Sequence, residues 1–283
     1  DSDPTGPEYW FSHGSHVSGI IAAPENDYGI VGIAPEAKIL PVQVLSRDIG
    51  YGLWDWMIEG IVYAADNGAD VINMSLSGYV MRSGYYDEYE DKQYSAKEVA
   101  EALVAIRRAL TYAKDKGVVV VAALGNEEID LGKDKNGLAA PAELGHCIAV
   151  SATGPLGWYD DPGTDLDVPA IYTNYGKGAV DFAGPGGNVD LDFPFGWWFD
   201  MVLSLGRYDS VNPEPWSYWY AAGTSMASPA VAGVAALVIG DSTSALTPSQ
   251  VESIMKKTAD DLGKPGRDEW YGHGRVNAYE AVK

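Results

Sequence analysis

Cysteine is almost absent from this chain, and its scarcity excludes disulfides as a source of stability. Cys147 is the only cysteine among the 283 residues, so no bridge can form within the chain. A chain of 30.3 kDa is expected to bury roughly 70% or more of its unfolded surface, which is enough to fold without disulfides. Cys147 begins a short apolar run, residues 147–150, and we predict that it is buried and inert. The four histidines are too scattered to indicate a zinc site.

Basic residues are also scarce, and long apolar runs are missing. The chain has nineteen lysines and arginines and forty aspartates and glutamates, which gives a net charge of −21. This excess of negative charge argues against nucleic acids and anionic membranes as partners and suits a soluble extracellular protein that can hold cations. Because no apolar run reaches about 18 residues and no signal peptide is present, we predict no membrane span and a mature or trimmed product.

The most informative segment is Gly-Thr-Ser-Met-Ala-Ser-Pro at residues 223–229, followed by the apolar run 230–238. It predicts a tight turn that presents Ser225 near the N-terminus of a buried helix. Unpaired N–H groups and the helix dipole favour developing negative charge there, so a hydroxyl can be positioned as a nucleophile. The alternative is a helix cap rich in serine and threonine that has no chemical role.

Two further segments supply the groups that a nucleophilic serine needs. Residues 12–23 predict the start of a buried helix with His13 in its first turn, and histidine is the usual base at neutral pH. Residues 118–126 predict a buried parallel strand that ends in Gly125 and Asn126. An asparagine amide at a strand end can donate a hydrogen bond to an oxyanion.

Together these motifs resemble the subtilisin-like serine peptidases, the subtilase family. The family patterns H-G-T-H-V-A-G, G-N and G-T-S-M-A-S-P match residues 13–19, 125–126 and 223–229, with only Ser15 and Ser18 departing. Segments 29–35, 70–76 and 272–278 also match, so the resemblance covers residues 12–283. It implies that Ser225 attacks the scissile carbonyl and that His13 is the general base. Asn126 would bind the oxyanion together with the backbone N–H of Ser225.

The family also has a catalytic aspartate on a strand before the histidine, and this part has no clear counterpart here. The twelve residues before His13 contain two prolines and no apolar run, so we predict a loop rather than a buried strand. The aspartate would then lie on a segment outside this sequence, such as a companion N-terminal fragment or propeptide. Without it the imidazole loses its orienting partner, and the rate is expected to fall by about 10⁴.

Alternating strand and helix patterns predict an α/β fold. Apolar periodicity predicts strands at Ala37–Leu45, Val71–Ser75, Val118–Ala123 and Ile148–Ala152, and helices at Leu53–Asn67 and Ala96–Lys116. Thr247, Pro248 and Gln250 predict a capped closing helix. The βαβ order implies a mainly parallel sheet with helices on both faces, the three-layer subtilisin-like fold, in one domain over residues 1–283.

The resemblance further implies a groove for an extended peptide substrate. Gly50, Tyr51 and Gly52 match one edge of that groove, and Ser75, Leu76 and Ser77 match the opposite edge. Ala123, Leu124 and Gly125 would line the pocket for the residue before the scissile bond. Ser77 replaces a usual glycine and would narrow this pocket, whereas Glu127 and Glu128 beside it would tolerate a basic residue. Ordinary loop glycines remain the alternative for residues 50–52.

Calcium is the cofactor that the resemblance implies. Residues 24–30 align with the family's calcium loop, in which an asparagine side chain and alternate carbonyls supply hard oxygen ligands. By analogy the Ca²⁺ ligands are Asn26 and the carbonyls of Pro24, Tyr28 and Ile30. Further ligands in the family come from upstream, so this site is expected to be partial.

Three stretches are longer than the family core, at about residues 79–95, 153–174 and 188–220. The first is acidic and rich in tyrosine, and we predict a surface loop without strands. The third contains Trp197, Trp198, Trp216 and Trp219 shortly before Ser225. These aromatic side chains either pack on each other to hold the insertion in place or grip an apolar peptide.

The sequence therefore predicts a serine endopeptidase that is extracellular or secreted, with possible attachment to a cell surface. Its partner would be a peptide or protein in an extended conformation. Two alternatives from other classes remain open. One is a catalytically incomplete binding module that keeps the fold but lacks the aspartate. The other is a surface-associated module that docks a partner through the acidic and aromatic insertions.

Overall fold

The computed structural model describes residues 12–46, 50–87, 90–192, 194–206 and 218–283. Two parts of the chain for which the sequence makes predictions lie outside these residues: the segment before Ser12, and Trp216. The helices are α1 His13–Ala22, α2 Trp54–Asp66, α3 Ala96–Asp115, α4 Thr224–Asp241, α5 Pro248–Thr258 and α6 Ala278–Ala281. The strands are β1 Val71–Met74, β2 Gly78–Met81, β3 Gly84–Asp87, β4 Lys92–Ser95, β5 Val119–Ala123, β6 Gly137–Ala140, β7 Ile148–Thr153, β8 Phe182–Pro185, β9 Val202–Leu205 and β10 Tyr218–Ala221.

A parallel sheet with the strand order β1-β5-β7-β8 forms the centre of the fold. Its strands are short apolar runs because both faces are covered, as in other parallel sheets. One face packs on α2 and α3, and the core there includes Ile72, Val120 and Leu110. The opposite face packs on α4 and α5 through Val121, Val231 and Val251. This arrangement confirms the predicted α/β fold with three layers.

Two helix starts follow local rules that the sequence makes visible. Thr247 caps α5, Pro248 takes the first helical position, and Gln250 completes the predicted capping box. Ser95 and Glu98 form a second capping box at the start of α3. Each box satisfies N–H groups that would otherwise have no partner at a helix N-terminus, so these boundaries can be predicted locally.

Helix α4 has the length and apolar composition of a membrane-spanning helix. However, 67% of its 18-residue window is buried inside the protein. Alanine, valine and glycine dominate this helix, and their small side chains let it lie close to the sheet. Its apolar character is therefore that of a core helix, and it carries Ser225 at its second position.

Two predictions about secondary structure are wrong. The stretch predicted as a surface loop, about residues 79–95, contains β2, β3 and β4, with β3 and β4 forming a hairpin and β2 pairing with β6. The predicted strand Ala37–Leu45 is not a strand. A strand requires a neighbour, and segment 37–45 forms no ladder with any described residue. Ile39 and Leu40 in this segment are each 42% exposed.

Segment 37–45 does not form a strand because of the open edge of the sheet beside it. Within the described residues, β1 pairs with β5 on one side and with no strand on the other. That open side borders a cleft of about 1810 Å³, and the residues across the cleft belong to segment 36–44. Apolar side chains of α1 and α4 line the other walls of this cleft, among them Val17, Ile21 and Ile239. The cleft therefore separates segment 37–45 from the sheet edge beside which it lies.

Aromatic residues join two of the long loops. Phe199 lies 6.1 Å from Trp158, 5.4 Å from Tyr159 and 5.6 Å from Tyr220 between ring centroids. The buried carboxylate of Asp200 accepts hydrogen bonds from the backbone N–H groups of Gly157 and Trp158, at 2.9 and 2.8 Å. Trp197 and Trp198 also contact each other. Self-packing of the insertions is therefore the alternative that the structure supports.

Candidate functional site

His13 is the first residue of α1. Ser12 precedes it as the N-cap, and its side chain accepts a hydrogen bond from the backbone N–H of Ser15 at 3.4 Å. One turn later, the fully buried His16 donates from Nε2 to the carbonyl of Trp219 at 3.0 Å. Because Trp219 belongs to β10, which leads into α4, this bond ties the helix of His13 to the segment before Ser225. Helix α1 also packs directly on α4.

Ser225 is held at the N-terminus of α4 by reciprocal contacts with Ser75. The hydroxyl of Ser225 donates to the carbonyl of Ser75 at 3.3 Å, and the hydroxyl of Ser75 donates to the carbonyl of Ser225 at 2.7 Å. Ser75 directly follows β1, so the nucleophile candidate lies at the carboxyl edge of the sheet. Sites in parallel α/β sheets lie at this edge.

Asn126 follows β5 at the same edge, and Thr224 sets the direction of its amide. The Oδ1 atom of Asn126 accepts hydrogen bonds from both the backbone N–H and the hydroxyl of Thr224, each at 2.9 Å. The same hydroxyl accepts a bond from the backbone N–H of Gly125 at 3.2 Å. Since Oδ1 is occupied twice, Nδ2 remains as the donor that points away from Thr224.

Gly223 leaves open the space that an oxyanion would need. A Cβ atom at Gly223 would lie 3.6 Å from Nδ2 of Asn126 and 3.6 Å from the backbone N of Ser225. Two hydrogen-bond donors thus lie within 3.6 Å of the same position next to Gly223. Donors arranged in this way can stabilise the negative oxygen that forms when a nucleophile adds to a carbonyl.

The predicted substrate residues fall into two groups. The first group lies at the edge that carries Ser225: Ser75, Leu76 and Ser77 follow β1, and Ala123, Leu124 and Gly125 end or follow β5. The second group is Gly50, Tyr51 and Gly52. In this stretch, the carbonyl of Tyr51 accepts a hydrogen bond from the backbone N–H of Ser46 at 2.7 Å. Two neighbouring residues outside the predicted set, Trp54 and Gly78, are in contact: a Cβ atom at Gly78 would lie 2.7 Å from the indole ring.

Ser77 narrows the space beside Gly125. Its Oγ is buried, has no hydrogen-bond partner within the described chain, and lies 3.3 Å from the position of a Cβ at Gly125. The same position is 2.5 Å from the carboxylate of Glu127 and from the amide of Asn174. Gly125 also has φ of +105°, a conformation that favours glycine. A glycine is therefore required here on two grounds.

The predicted calcium residues lie in one exposed loop that borders the cleft. Asn26 accepts a hydrogen bond on Oδ1 from the backbone N–H of Tyr28 at 3.3 Å. Pro24, Asn26, Tyr28 and Ile30 provide at most four oxygens of the predicted kind, whereas Ca²⁺ takes about six to eight. In the part of the chain described here, no cluster of three or more His, Cys, Asp or Glu residues is placed to hold a metal. The loop therefore fits a partial site.

The protonation state of His13 follows from its surroundings. Burial, followed by the effect of nearby His16, lowers the pKa of His13 from 6.5 to about 4. At neutral pH the imidazole is therefore uncharged and able to accept a proton, as a general base requires. Burial also lowers the pKa of His16. Cys147 is partly exposed rather than buried as predicted. Its thiol donates toward the carbonyls of Pro141 and Ala142, and the partial burial raises its pKa.

A stability measurement tests this pKa. Because the folded-state pKa of His13 lies below its unfolded value, the unfolded chain binds more protons between about pH 4 and 6.5. The contribution of His13 is present above pH 6.5 and is lost as the pH falls toward 4. We expect the unfolding temperature of the wild type to fall more steeply over this range than that of His13→Gln, measured by calorimetry. Parallel curves would contradict the assignment.

Sequence reasoning missed three residues that organise the site. Thr224 orients Asn126, while Asn73 and Ser228 join the contacts of Ser75. Thr224 and Ser228 lie within the motif at residues 223–229, and Asn73 lies two residues before Ser75. Their positions were thus visible in the sequence. Their roles were not, because Thr224 and Ser228 act on residues from distant parts of the chain, and Asn73 is held in place by Ser228.

Comparison with known proteins gives the same assignment as the motifs. Residues 1–274 match the model of the subtilase family. Thermitase from Thermoactinomyces vulgaris is 34% identical over 284 residues, which cover 100% of this chain and 78% of thermitase. The cell wall-associated protease of Bacillus subtilis is 32% identical over 294 residues, covering 95% of this chain but only 26% of that protein.

A solved structure supports the fold independently. The crystal structure of a lanthipeptide protease superposes with a TM-score of 0.74 at 29% sequence identity, covering 100% of this chain and 76% of that one. The family match covers nearly the whole chain, including the segments that carry His13, Asn126 and Ser225. The chain belongs to the subtilase family of serine endopeptidases.

Proposed function

We propose that this chain cleaves peptide bonds with Ser225 as nucleophile and His13 as general base. The observation that supports the proposal is the position of Asn126 Nδ2 and the backbone N of Ser225, each 3.6 Å from the same point next to Gly223. A site of this geometry stabilises the oxyanion of a tetrahedral intermediate and has little purpose in a binding module.

The reaction proceeds by acyl transfer. His13 accepts the proton of the Ser225 hydroxyl as Oγ attacks the scissile carbonyl, and the carbonyl oxygen becomes negative between Asn126 and the backbone N–H of Ser225. His13 then gives the proton to the leaving amine, which departs and leaves an acyl group on Ser225. Water attacks this ester with His13 again as base, and the peptide acid is released.

We further propose that an aspartate-bearing strand from outside residues 12–283 occupies the cleft beside β1. The support is the open sheet edge together with apolar walls from α1 and α4. A strand placed there would pair with β1 in the sheet, and segment 37–45 would gain the neighbour that it lacks. Its carboxyl end would reach the same edge as Ser75, where a carboxylate can orient the imidazole of His13.

The substrate is proposed to bind as an extended strand between residues 50–52 and 75–77, mainly through backbone hydrogen bonds. The side chain before the scissile bond would enter the space between Ser77 and Gly125, which the Ser77 hydroxyl narrows. Glu127 lies at this space, so its carboxylate can pair with a basic substrate side chain that enters there. The net charge of −21 also attracts cationic peptides over long distances.

Calcium is proposed as a structural ion at the loop of Asn26. The support is the set of hard oxygens in residues 24–30 and the position of this loop on the wall of the cleft. The segment that fills the cleft would complete the ligand set. When bound, the ion would link the loop to that segment. Isothermal titration with Ca²⁺ should therefore show weak binding to this chain alone and stronger binding to the assembled form.

An extracellular location, with possible attachment to the cell surface, remains our proposal. A relative is named as a cell wall-associated protease, and the strongly negative charge of this chain suits a soluble extracellular protein. Fractionation of the native host, with detection of this chain in medium, wall and cytoplasm, tests this location. Recovery from the cytoplasm alone would contradict it.

Fluorophosphonate labelling tests the proposed function directly. The purified protein is treated with the probe, digested and analysed by mass spectrometry, and intact masses of all chains in the sample are recorded. We expect one adduct, on Ser225, together with turnover of a casein or peptide substrate. A folded protein that neither labels nor cleaves would favour the binding-module alternative. An additional chain in the spectrum would identify the source of the aspartate.

Asn126→Leu is expected to lower kcat about 10²–10³-fold with little change in KM, because the oxyanion exists only after attack has begun. This magnitude is known for the equivalent donor in subtilisin, a relative, and is carried over from it. Thr224→Val is the matched control. It removes one of the two bonds to Oδ1 but keeps the amide donor, so its loss should be smaller. Equal losses in the two variants would argue against Nδ2 as the oxyanion donor.

A further inference from the structure

The helix that carries Ser225 contains a proline at an unusual place. Pro229 lies in the first half of α4, four residues after Ser225. In an α-helix the carbonyl of each residue accepts a hydrogen bond from the N–H four residues later. Proline has no N–H, so the carbonyl of Ser225 cannot receive its ordinary helical bond. A buried carbonyl that loses this bond needs another donor.

The hydroxyl of Ser75 is that donor. Its Oγ lies 2.7 Å from the carbonyl oxygen of Ser225, although 150 residues separate the two in the chain. In return the carbonyl of Ser75 accepts from the Ser225 hydroxyl at 3.3 Å. The nucleophile is thus attached through its backbone and its side chain to one residue at the end of β1.

Two further side chains determine the direction of the Ser75 hydroxyl. The hydroxyl of Ser228, which is completely buried, donates to Oδ1 of Asn73 at 2.6 Å. Nδ2 of Asn73 then faces Oγ of Ser75 at 3.0 Å. An amide nitrogen can only donate, so Oγ must accept this bond, and the single hydroxyl proton of Ser75 remains for the carbonyl of Ser225.

We propose that Ser75, oriented by Asn73 and Ser228, is a positioning residue that replaces the helical bond which Pro229 cannot donate. The replacement joins the first turn of α4 to the end of β1 instead of to the next turn of its own helix. The position of Ser225 is therefore set by the sheet edge that also presents Asn126. This inference rests on the proposed role of Ser225 as the nucleophile.

A double-mutant cycle tests whether the Ser75 hydroxyl replaces a helical N–H as the donor to the carbonyl of Ser225. Pro229→Ala restores an N–H at the correct position in the helix. Ser75→Ala removes the replacement donor, and Asn73→Asp keeps the shape but offers only acceptors, which draws the Ser75 proton away from Ser225. Each change is made with Pro229 and with Ala at that position. The readout is the second-order rate constant of fluorophosphonate labelling, because this small probe does not need the peptide groove.

We expect Ser75→Ala and Asn73→Asp each to slow labelling about tenfold in the presence of Pro229, the size expected for one hydrogen bond to a carbonyl. In the Pro229→Ala background the same changes should cost less than about twofold, because the helical N–H then serves the carbonyl. Equal losses in both backgrounds would overturn the proposal, since a general packing defect does not depend on residue 229.

Thermal unfolding of the same variants gives a second, independent measurement. The cycle should show coupling of the same sign, with Ser75→Ala lowering the unfolding temperature less in the Pro229→Ala background. If the wild type does not label at all, the proposed function fails. The unfolding cycle still decides whether the Ser75 hydroxyl and a backbone N–H at residue 229 can each serve the carbonyl of Ser225. Additive changes in unfolding temperature would show that they do not.

Discussion

Replacing Ser225 with alanine is expected to abolish both peptide hydrolysis and fluorophosphonate labelling while leaving the fold unchanged. Without Oγ no acyl intermediate can form, so His13 and the two oxyanion donors have no nucleophile to assist. In subtilisin, a relative of this chain, loss of the nucleophile costs about 10⁶ in kcat, and we expect a similar loss when the aspartate is in place. Without the aspartate the rate is already lower by about 10⁴, so Ser225→Ala should then cost only about 10². The residual rate would come from the oxyanion donors and substrate binding.

The controls for this experiment are available within the chain. Ser253 is exposed on α5 and lies outside the motif at residues 223–229, so Ser253→Ala should keep the wild-type rate. The unfolding temperature of Ser225→Ala should stay close to that of the wild type, because alanine fits the space of serine and favours a helix. Labelling that persists in Ser225→Ala would assign the nucleophile to another residue.

The second large effect concerns the cleft beside β1. A peptide that supplies the proposed strand should raise the rate of hydrolysis by about 10⁴, the factor that an aspartate contributes to a serine-histidine pair. The peptide would carry about six apolar, mainly β-branched residues followed by Asp-Ser-Gly, since buried parallel strands are apolar on both faces. A carboxylate beside His13 should also raise the pKa of that residue above its present value of about 4.

Matched peptides separate binding from catalysis. The same peptide with asparagine in place of aspartate should bind and raise the unfolding temperature, because ligands that bind only the folded state stabilise it. It should not raise the rate. Equal activation by both peptides would show that the strand acts without its carboxylate. Failure of either peptide to bind, with an active protein, would mean that the cleft is not a strand site.

The motifs indicate candidate residues for the site, but not the contacts that orient them. Ser225, His13 and Asn126 could be proposed from sequence because each stands in a short pattern with a distinct local structure. The bonds that orient them could not, because Thr224 acts on a residue 98 positions away and Ser228 on one 155 positions away. Local patterns do not carry information about such pairs.

The same distinction explains the errors in secondary structure. Helix α3 has apolar residues at helical spacing and β5 is a continuous apolar run, so local pattern predicts both close to their observed limits. Segment 37–45 has the apolar composition of a strand, but pairing depends on a neighbour, and the cleft lies where that neighbour would be. Strand β2 was missed because its partner β6 follows about 60 residues later, beyond any local pattern.

Helix α4 also determines how this protein would lose activity with time. Twelve of its eighteen residues are buried, and they include the residues that directly follow Ser225. Amides in such a helix exchange with solvent only when large parts of the structure open. The nucleophile should therefore resist local fluctuations, and thermal inactivation should follow the rate of global unfolding rather than fraying of the site. Hydrogen exchange at α4 and the inactivation half-life should then show the same dependence on temperature.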